Sequence, residues 1–281
     1  MQRKRRAIGL LLACLLLMAG AGVWWQLGSP VLVSPQSATS AQMQQSTHDA
    51  RPAPVVQTLD LGQSSQKRPI VASVHGRGKR HVLILGGIHG DELHTDAVAR
   101  EFAASLLKEA APEDLTVIVV PSINPDGVAA SKRVNANGVD LNRNFPTANW
   151  NNKAQDARHF PGQQPGSEPE TRIVMKLIER YSPELLISIH APLNCVNWDG
   201  PADKISEAMS RANGYPLKKD IGYPTPGSLG AYAGIEKGIP TVTLELRVAS
   251  ADVLVRENLP ALRVALQAIS GIAAKSEAAS R

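Results

Sequence analysis

Apolar and polar positions change rhythm repeatedly between residues 55 and 275, and each change predicts an element. Val55 to His75 alternates weakly about the turn signal Gly62-Gln63-Ser64-Ser65-Gln66-Lys67, which predicts two short antiparallel strands. His81 to Leu85 and Leu115 to Val120 read as buried strands, the second built of Thr, Val and Ile after Leu115, and Thr95 to Glu109 between them has the period of an amphipathic helix. The succession then repeats. Glu168 to Tyr181 predicts a helix and Leu185 to Ile189 a buried strand. Asp203 to Asn213 predicts a helix stopped by Gly214, Ser228 to Lys237 another ending at Gly238, and Thr241 to Leu246 a strand. Asn258 is placed to cap a last helix, with Pro260 in its first turn, running through Ala261 to about Ala274. Strands that alternate with helices predict a single α/β domain, residues 55–275, built on one mixed, mostly parallel β-sheet with helices on both faces.

The segment from Pro121 to Gly166 breaks this rhythm with many Asn, Pro and Gly residues, and a loop that long in a compact domain is usually functional. Ligands of open α/β sheets sit beyond the carboxyl ends of the strands. There the chain places Gly86-Gly87 followed by His89 and Glu92, and, after Leu185 to Ile189, His190. Zinc takes neutral imidazole and carboxylate ligands, and a catalytic zinc needs three of them with one position left open. His89, Glu92 and His190 are the candidate set. His-x-x-Glu is a weak signal alone; the strand ends on which these residues fall are what strengthen it. Glu245 lies inside the apolar strand Val242-Thr243-Leu244-Glu245-Leu246, where a charge costs several kcal/mol unless paired or functional. It is either part of the chemistry or an ion-pair partner of Arg247 or of another buried Arg.

Charge narrows the partners. Of the formal net charge of +5, Arg3, Lys4, Arg5 and Arg6 supply four, which leaves 26 Lys and Arg against 25 Asp and Glu. Nucleic-acid binding has no electrostatic support in that balance. The basic cluster is followed by an uncharged apolar run from Ala7 to Trp25, so residues 1–25 read as an export signal, either cleaved near Ala19-Gly20-Ala21 or retained as a membrane anchor through residues 7–25. The apolar run continues past Cys14, so the lipobox-like Leu11-Leu12-Ala13-Cys14 does not predict lipidation. Residues 26–54 are rich in Ser, Gln, Ala and Pro and predict a flexible linker. Cys195 is the one cysteine beyond the leader, which excludes an internal disulfide there and predicts a packed side chain. The expected location is the periplasm, soluble after cleavage or anchored to the inner membrane.

Five pieces occur in one order: His89-x-x-Glu92, Asn124-Pro125-Asp126-Gly127, Gly138-Val139-Asp140-Leu141-Asn142-Arg143-Asn144-Phe145-Pro146, His190, and Thr243-Leu244-Glu245-Leu246. Together they resemble the zinc metallocarboxypeptidases related to carboxypeptidase A, over about residues 70–270. The stretches Ser188 to Cys195 and Gly222 to Gly230 are similar to the short bacterial branch, the murein peptide amidases, which cut the amide between γ-D-glutamate and diaminopimelate in peptidoglycan stem peptides. The resemblance implies one zinc ion on His89, Glu92 and His190, with Glu245 as general base and Arg133 as the cation beside the oxyanion. It further implies that Asn142 and Arg143 grip the substrate's terminal carboxylate, that Asp140 holds the far nitrogen of His89, and that Tyr223 is the mobile tyrosine closing over substrate. His81, His94 and His159 have no motif support and read as ordinary surface or core histidines. The region that sets side-chain preference in digestive relatives corresponds to Ser228-Leu229-Gly230-Ala231-Tyr232, which declares no charge. The expected substrate is a muropeptide. The alternatives are an ordinary peptide cut by a zinc carboxypeptidase, the substrate of a zinc deacylase of the succinylglutamate desuccinylase or aspartoacylase type, or no substrate at all, in an inactive module that binds wall peptides.

Overall fold

The computed structural model describes residues 56–154 and 156–279, with side chains as far as 271. The predicted signal 1–25 and linker 26–54 lie outside the described residues. Seven strands form one sheet in the order β1-β2-β4-β3-β5-β7-β6. Their ranges are β1 Val56–Gln63, β2 Pro69–Gly76, β3 Arg80–Leu85, β4 Leu115–Val120, β5 Leu185–His190, β6 Cys195–Asp199 and β7 Thr241–Glu245. The central strands β4, β3, β5 and β7 are parallel neighbours. The flanking pairings β1–β2, β2–β4 and β6–β7 are antiparallel. The sheet is therefore mixed, with three parallel and three antiparallel pairings.

Period-two alternation on the central strands sends side chains into two cores. Val82, Ile84, Val117, Val119, Leu185, Ile187, Val242 and Leu244 pack against helices α1 (Thr95–Lys108), α4 (Asp203–Asn213) and α5 (Ala251–Ala279). Leu83, Leu85, Ile118, Val120 and Leu186 face the other way, toward α3 (Pro169–Tyr181) and the π-helix Gly230–Glu236. A further short helix, α2 (Pro125–Ala130), lies within the long segment after β4. Helices on both faces of the sheet follow from strands that are apolar on both sides.

Two predicted elements differ. Ser228 to Lys237 forms a π-helix over Gly230–Glu236 in place of an α-helix. The last helix begins at Ala251, seven residues before its predicted cap, with Ser250 accepting from the backbone N–H groups of Val253 and Leu254. Asn258 is fully buried in that helix, where its amide donates to the Leu254 carbonyl and to Tyr215 Oη. Pro260 sits inside the helix, at the loss of one backbone donor. The core face made by Leu254, Ala261, Leu262, Ala265 and Leu266 carries the helix through it.

Candidate active site

The site assembles where β3, β5 and β7 end. Gly86 and Gly87 turn the chain out of β3 and deliver His89, which is buried. Its Nδ1 lies 2.6 Å from Glu92 Oε1 and its Nε2 lies 2.9 Å from Asp140 Oδ1. His190, the last residue of β5, places Nδ1 2.8 Å from Glu92 Oε2, which also accepts from the Ala191 N–H at 3.2 Å. One donor atom from each of His89, Glu92 and His190 lies within 4.8 Å of the others. Among the described residues this is the one group of three or more His, Cys, Asp or Glu residues so placed. The donor chemistry suits zinc: with Asp140 accepting from Nε2–H, Nδ1 on the Glu92 side is the His89 nitrogen left to ligate a metal once it gives up its proton.

Electrostatics follow from burial and pairing. Burial pushes the His89 pKa down, but Glu92 and Asp140 outweigh it and raise it to about 9 in the metal-free site. Burial likewise pushes Glu92 and Asp140 up, and their hydrogen-bonded and charged neighbours reverse this and hold both carboxyls below the usual range. Those neighbours are His89 and His190 for Glu92, and His89, Arg133 and Arg143 for Asp140. Glu245 behaves differently. It pairs across β7 and β5 with His190, and its Oε2 accepts from the Leu193 N–H at 3.4 Å. Burial, with Glu92 nearby, raises its pKa, although His190 opposes the shift. Arg247 forms its ion pair with Glu257, so the alternative reading of Glu245 as the partner of Arg247 is ruled out.

The long segment after β4 supplies the rest. Asn124 caps α2 by accepting from the Gly127 N–H, and its amide donates to Ile88 O, tying α2 to the His89 loop. A Cβ on Gly90 would lie 1.9 Å from the Gly127 carbonyl carbon, so the two backbones meet only because Gly90 has no side chain. Arg133 donates from Nε to Asp140 Oδ2 at 3.0 Å and from an η nitrogen to Glu92 Oε1 at 3.1 Å. Asp140 opens a short 3₁₀ turn, Leu141–Arg143, by accepting from the Asn142 N–H. Asn142 spends its side-chain oxygen on the Leu229 N–H at 2.8 Å, which leaves its amide N–H groups for a ligand. Arg143 is buried, donates to the Asn142 carbonyl, and has no carboxylate within ion-pair reach among the described residues. Burial lowers its pKa.

His89, Glu92, Arg133, Asn142, Arg143, His190, Tyr223 and Glu245 line one cleft, with Asp140 buried behind it. Tyr223 is 48% exposed, on a segment at the cleft's rim. Cys195 is buried opposite Glu245, and burial and that carboxylate push its thiol up to about 11. His81 packs edge-on against Tyr181, and His159 pairs with Asp156. His94 precedes α1 in a left-handed conformation and lines a second hollow that also borders Glu92. Asp199 on β6 also lines the cleft, and no sequence motif points to it. The signal for it is faint, since Cys195-Val196-Asn197-Trp198-Asp199 is a five-residue strand with no clear period.

Residues 42–210 match the zinc carboxypeptidase family. Murein peptide amidase A of Escherichia coli K12 is 39% identical over 181 residues, which cover 60% of this chain and 72% of that protein. The protein of the same name from Vibrio campbellii is 35% identical over 197 residues, 66% of this chain and 77% of its own. The crystal structure of a murein-tripeptide amidase from Escherichia coli O157 superposes with a TM-score of 0.62 at 31% identity, covering 74% of this chain and 91% of that one. A family match over more than half the chain, on a fold whose cleft gathers two histidines, three carboxylates and two guanidiniums, means that the chain belongs to the zinc carboxypeptidase family and is a zinc-dependent peptidase or amidase.

Proposed function

We propose that this protein is exported and hydrolyses the γ-D-glutamyl-diaminopimelate amide of peptidoglycan stem peptides, using one zinc ion held by His89, Glu92 and His190. The observation that carries the reading is Arg143, a buried guanidinium in the cleft with no carboxylate partner among the described residues, beside Asn142 with its amide N–H groups unspent. Such a pair suits a ligand that ends in a carboxylate, and a planar guanidinium binds one through two parallel hydrogen bonds. The murein assignment draws its support from the similarity to murein peptide amidases.

Zinc, when bound, polarises the scissile carbonyl and lowers the pKa of a water toward about 7. Glu245, raised by burial, takes the proton of the attacking water and passes it to the leaving amine. Arg133, held by Asp140 and Glu92 at the cleft wall, presents a fixed positive charge where negative charge develops on the carbonyl oxygen. Asp140 keeps His89 in one tautomer. Tyr223, exposed in the cleft lining, closes over a bound peptide in this reading, a role that rests on the resemblance to the family.

Incubating the zinc-loaded protein with L-Ala-γ-D-Glu-diaminopimelate, and separately with an ordinary α-linked peptide, tests the reading by product mass. Release of diaminopimelate is expected. Release only of an ordinary C-terminal amino acid would sink the murein assignment in favour of a conventional carboxypeptidase.

A further inference from the structure

The second hollow, of about 330 Å³, adjoins the cleft. The two share Glu92, Arg133, Ala191 and Pro192, whereas Asn142 and Arg143 line the cleft alone. A peptide whose terminal carboxylate rests on Arg143 and whose scissile carbonyl lies beside Arg133 therefore brings its acyl half to the mouth of this hollow. What lines the hollow bears on which acyl groups the protein accepts.

Part of the lining is apolar: Leu93 and Val248, both exposed, with Leu254 and Pro192. Three guanidiniums complete it, and they are not equivalent. Arg133 is committed to Asp140 and Glu92, and Arg247 spends two nitrogens on Glu257. Arg158 makes a single contact, from an η nitrogen to Asp91 Oδ2 at 2.8 Å. Among the described residues its remaining guanidinium N–H groups have no acceptor, and its side chain is 64% exposed. Asp91 precedes the ligand Glu92 in the chain, so one carboxylate anchors this guanidinium to the zinc loop and leaves most of its planar fork for a ligand. The hollow thus suits an acyl group that is small and apolar apart from one carboxylate.

A γ-linked glutamyl residue is such a group. Its scissile carbonyl belongs to the side chain, so its α-carboxylate stays free and hangs on the acyl side, beyond two methylene groups. An α-linked residue with a neutral side chain offers no carboxylate there. We propose that Arg158 is a specificity-determining residue that takes the free α-carboxylate of the γ-D-glutamyl residue, with the apolar wall accommodating the alanine before it. The proposal rests on the function proposed above. An α-carboxamide in place of that carboxylate would lose the charge and one of its two accepting oxygens.

The test gives the zinc-loaded protein two peptides, L-Ala-γ-D-Glu-diaminopimelate and L-Ala-γ-D-isoglutaminyl-diaminopimelate, which differ only in that carboxylate and carboxamide. For the wild type, kcat/KM should favour the carboxylate by about 5- to 30-fold, carried mainly in KM. Arg158→Gln, checked for zinc content, should bring the ratio to within about threefold of unity. A disturbance passed to the zinc loop through Asp91 would slow both peptides alike, so a wild-type ratio in Arg158→Gln would overturn the proposal however slow the variant. Equal rates on the two peptides in the wild type would also overturn it, with the murein reading left standing. Cleavage of neither γ-linked peptide by a protein that cleaves an α-linked one would overturn the murein reading and the proposal with it.

Discussion

Replacing Asp140 with Asn tests how the site is held. Asp140 is fully buried and accepts three hydrogen bonds: from His89 Nε2 at 2.9 Å and the Asn142 N–H at 2.9 Å through Oδ1, and from Arg133 Nε at 3.0 Å through Oδ2. An amide has one accepting end. If its oxygen faces His89 and Asn142, its N–H2 meets the Arg133 N–H, donor against donor, and a hydrogen bond to a charged group worth about 1.5–3 kcal/mol is lost. If the oxygen faces Arg133, the N–H2 points at His89 Nε2 and drives the imidazole to the tautomer protonated at Nδ1, the atom that faces Glu92. That tautomer cannot ligate through Nδ1, and loss of such a supporting contact typically weakens metal binding by about 10- to 100-fold. Both orientations therefore harm the site. Chelator competition should show zinc binding weaker by about 10- to 100-fold, and the metal-free variant should melt several degrees lower. Zinc affinity within about twofold of wild type, with an unchanged melting temperature, would refute the reasoning.

Three other outcomes follow from the same geometry. The metal-free pKa of His89, raised to about 9, means that near neutral pH zinc must displace a proton; calorimetry in buffers of different ionisation enthalpy should find close to one proton released, declining as pH rises through 9. No release at neutral pH would contradict the charge state described. Arg143→Lys keeps the charge and loses the planar fork, so kcat/KM should fall about 10- to 100-fold, mainly through KM, for peptides with a free terminal carboxylate; an equal fall for amidated peptides would show that the residue grips something else. Gly90→Ala forces a Cβ to within 1.9 Å of the Gly127 carbonyl carbon, and should lower stability by about 1–3 kcal/mol in a denaturant titration.

Much of this architecture is legible along the chain because burial on both faces leaves nearly continuous apolar runs. Leu185 to Ile189 announces β5, and His190 at its end stands out as the first polar residue beyond. Glu245 is conspicuous for a related reason: a carboxylate inside an apolar strand demands an explanation. Residues of the long segment, Arg133, Asp140, Asn142 and Arg143, carry no periodicity, and only the resemblance of their motif to a family pointed to them. The cap signal at Asn258 is local, an Asn followed closely by Pro, whereas the start of α5 at Ala251 is set by the packing of Leu254 and the residues after it in the core. Asp199 was invisible because β6 becomes a strand through its pairing with β7, and its carboxylate gains meaning only when that pairing lays it in the cleft.

The central claim is that zinc on His89, Glu92 and His190 and proton transfer by Glu245 together cleave the amide. Zinc content and hydrolysis of L-Ala-γ-D-Glu-diaminopimelate, measured side by side for the wild type and Glu245→Gln, test it most directly. Both proteins should bind one zinc, and the variant should be slower by about 10²- to 10⁴-fold. A Glu245→Gln protein that hydrolyses the substrate at the wild-type rate would contradict the account.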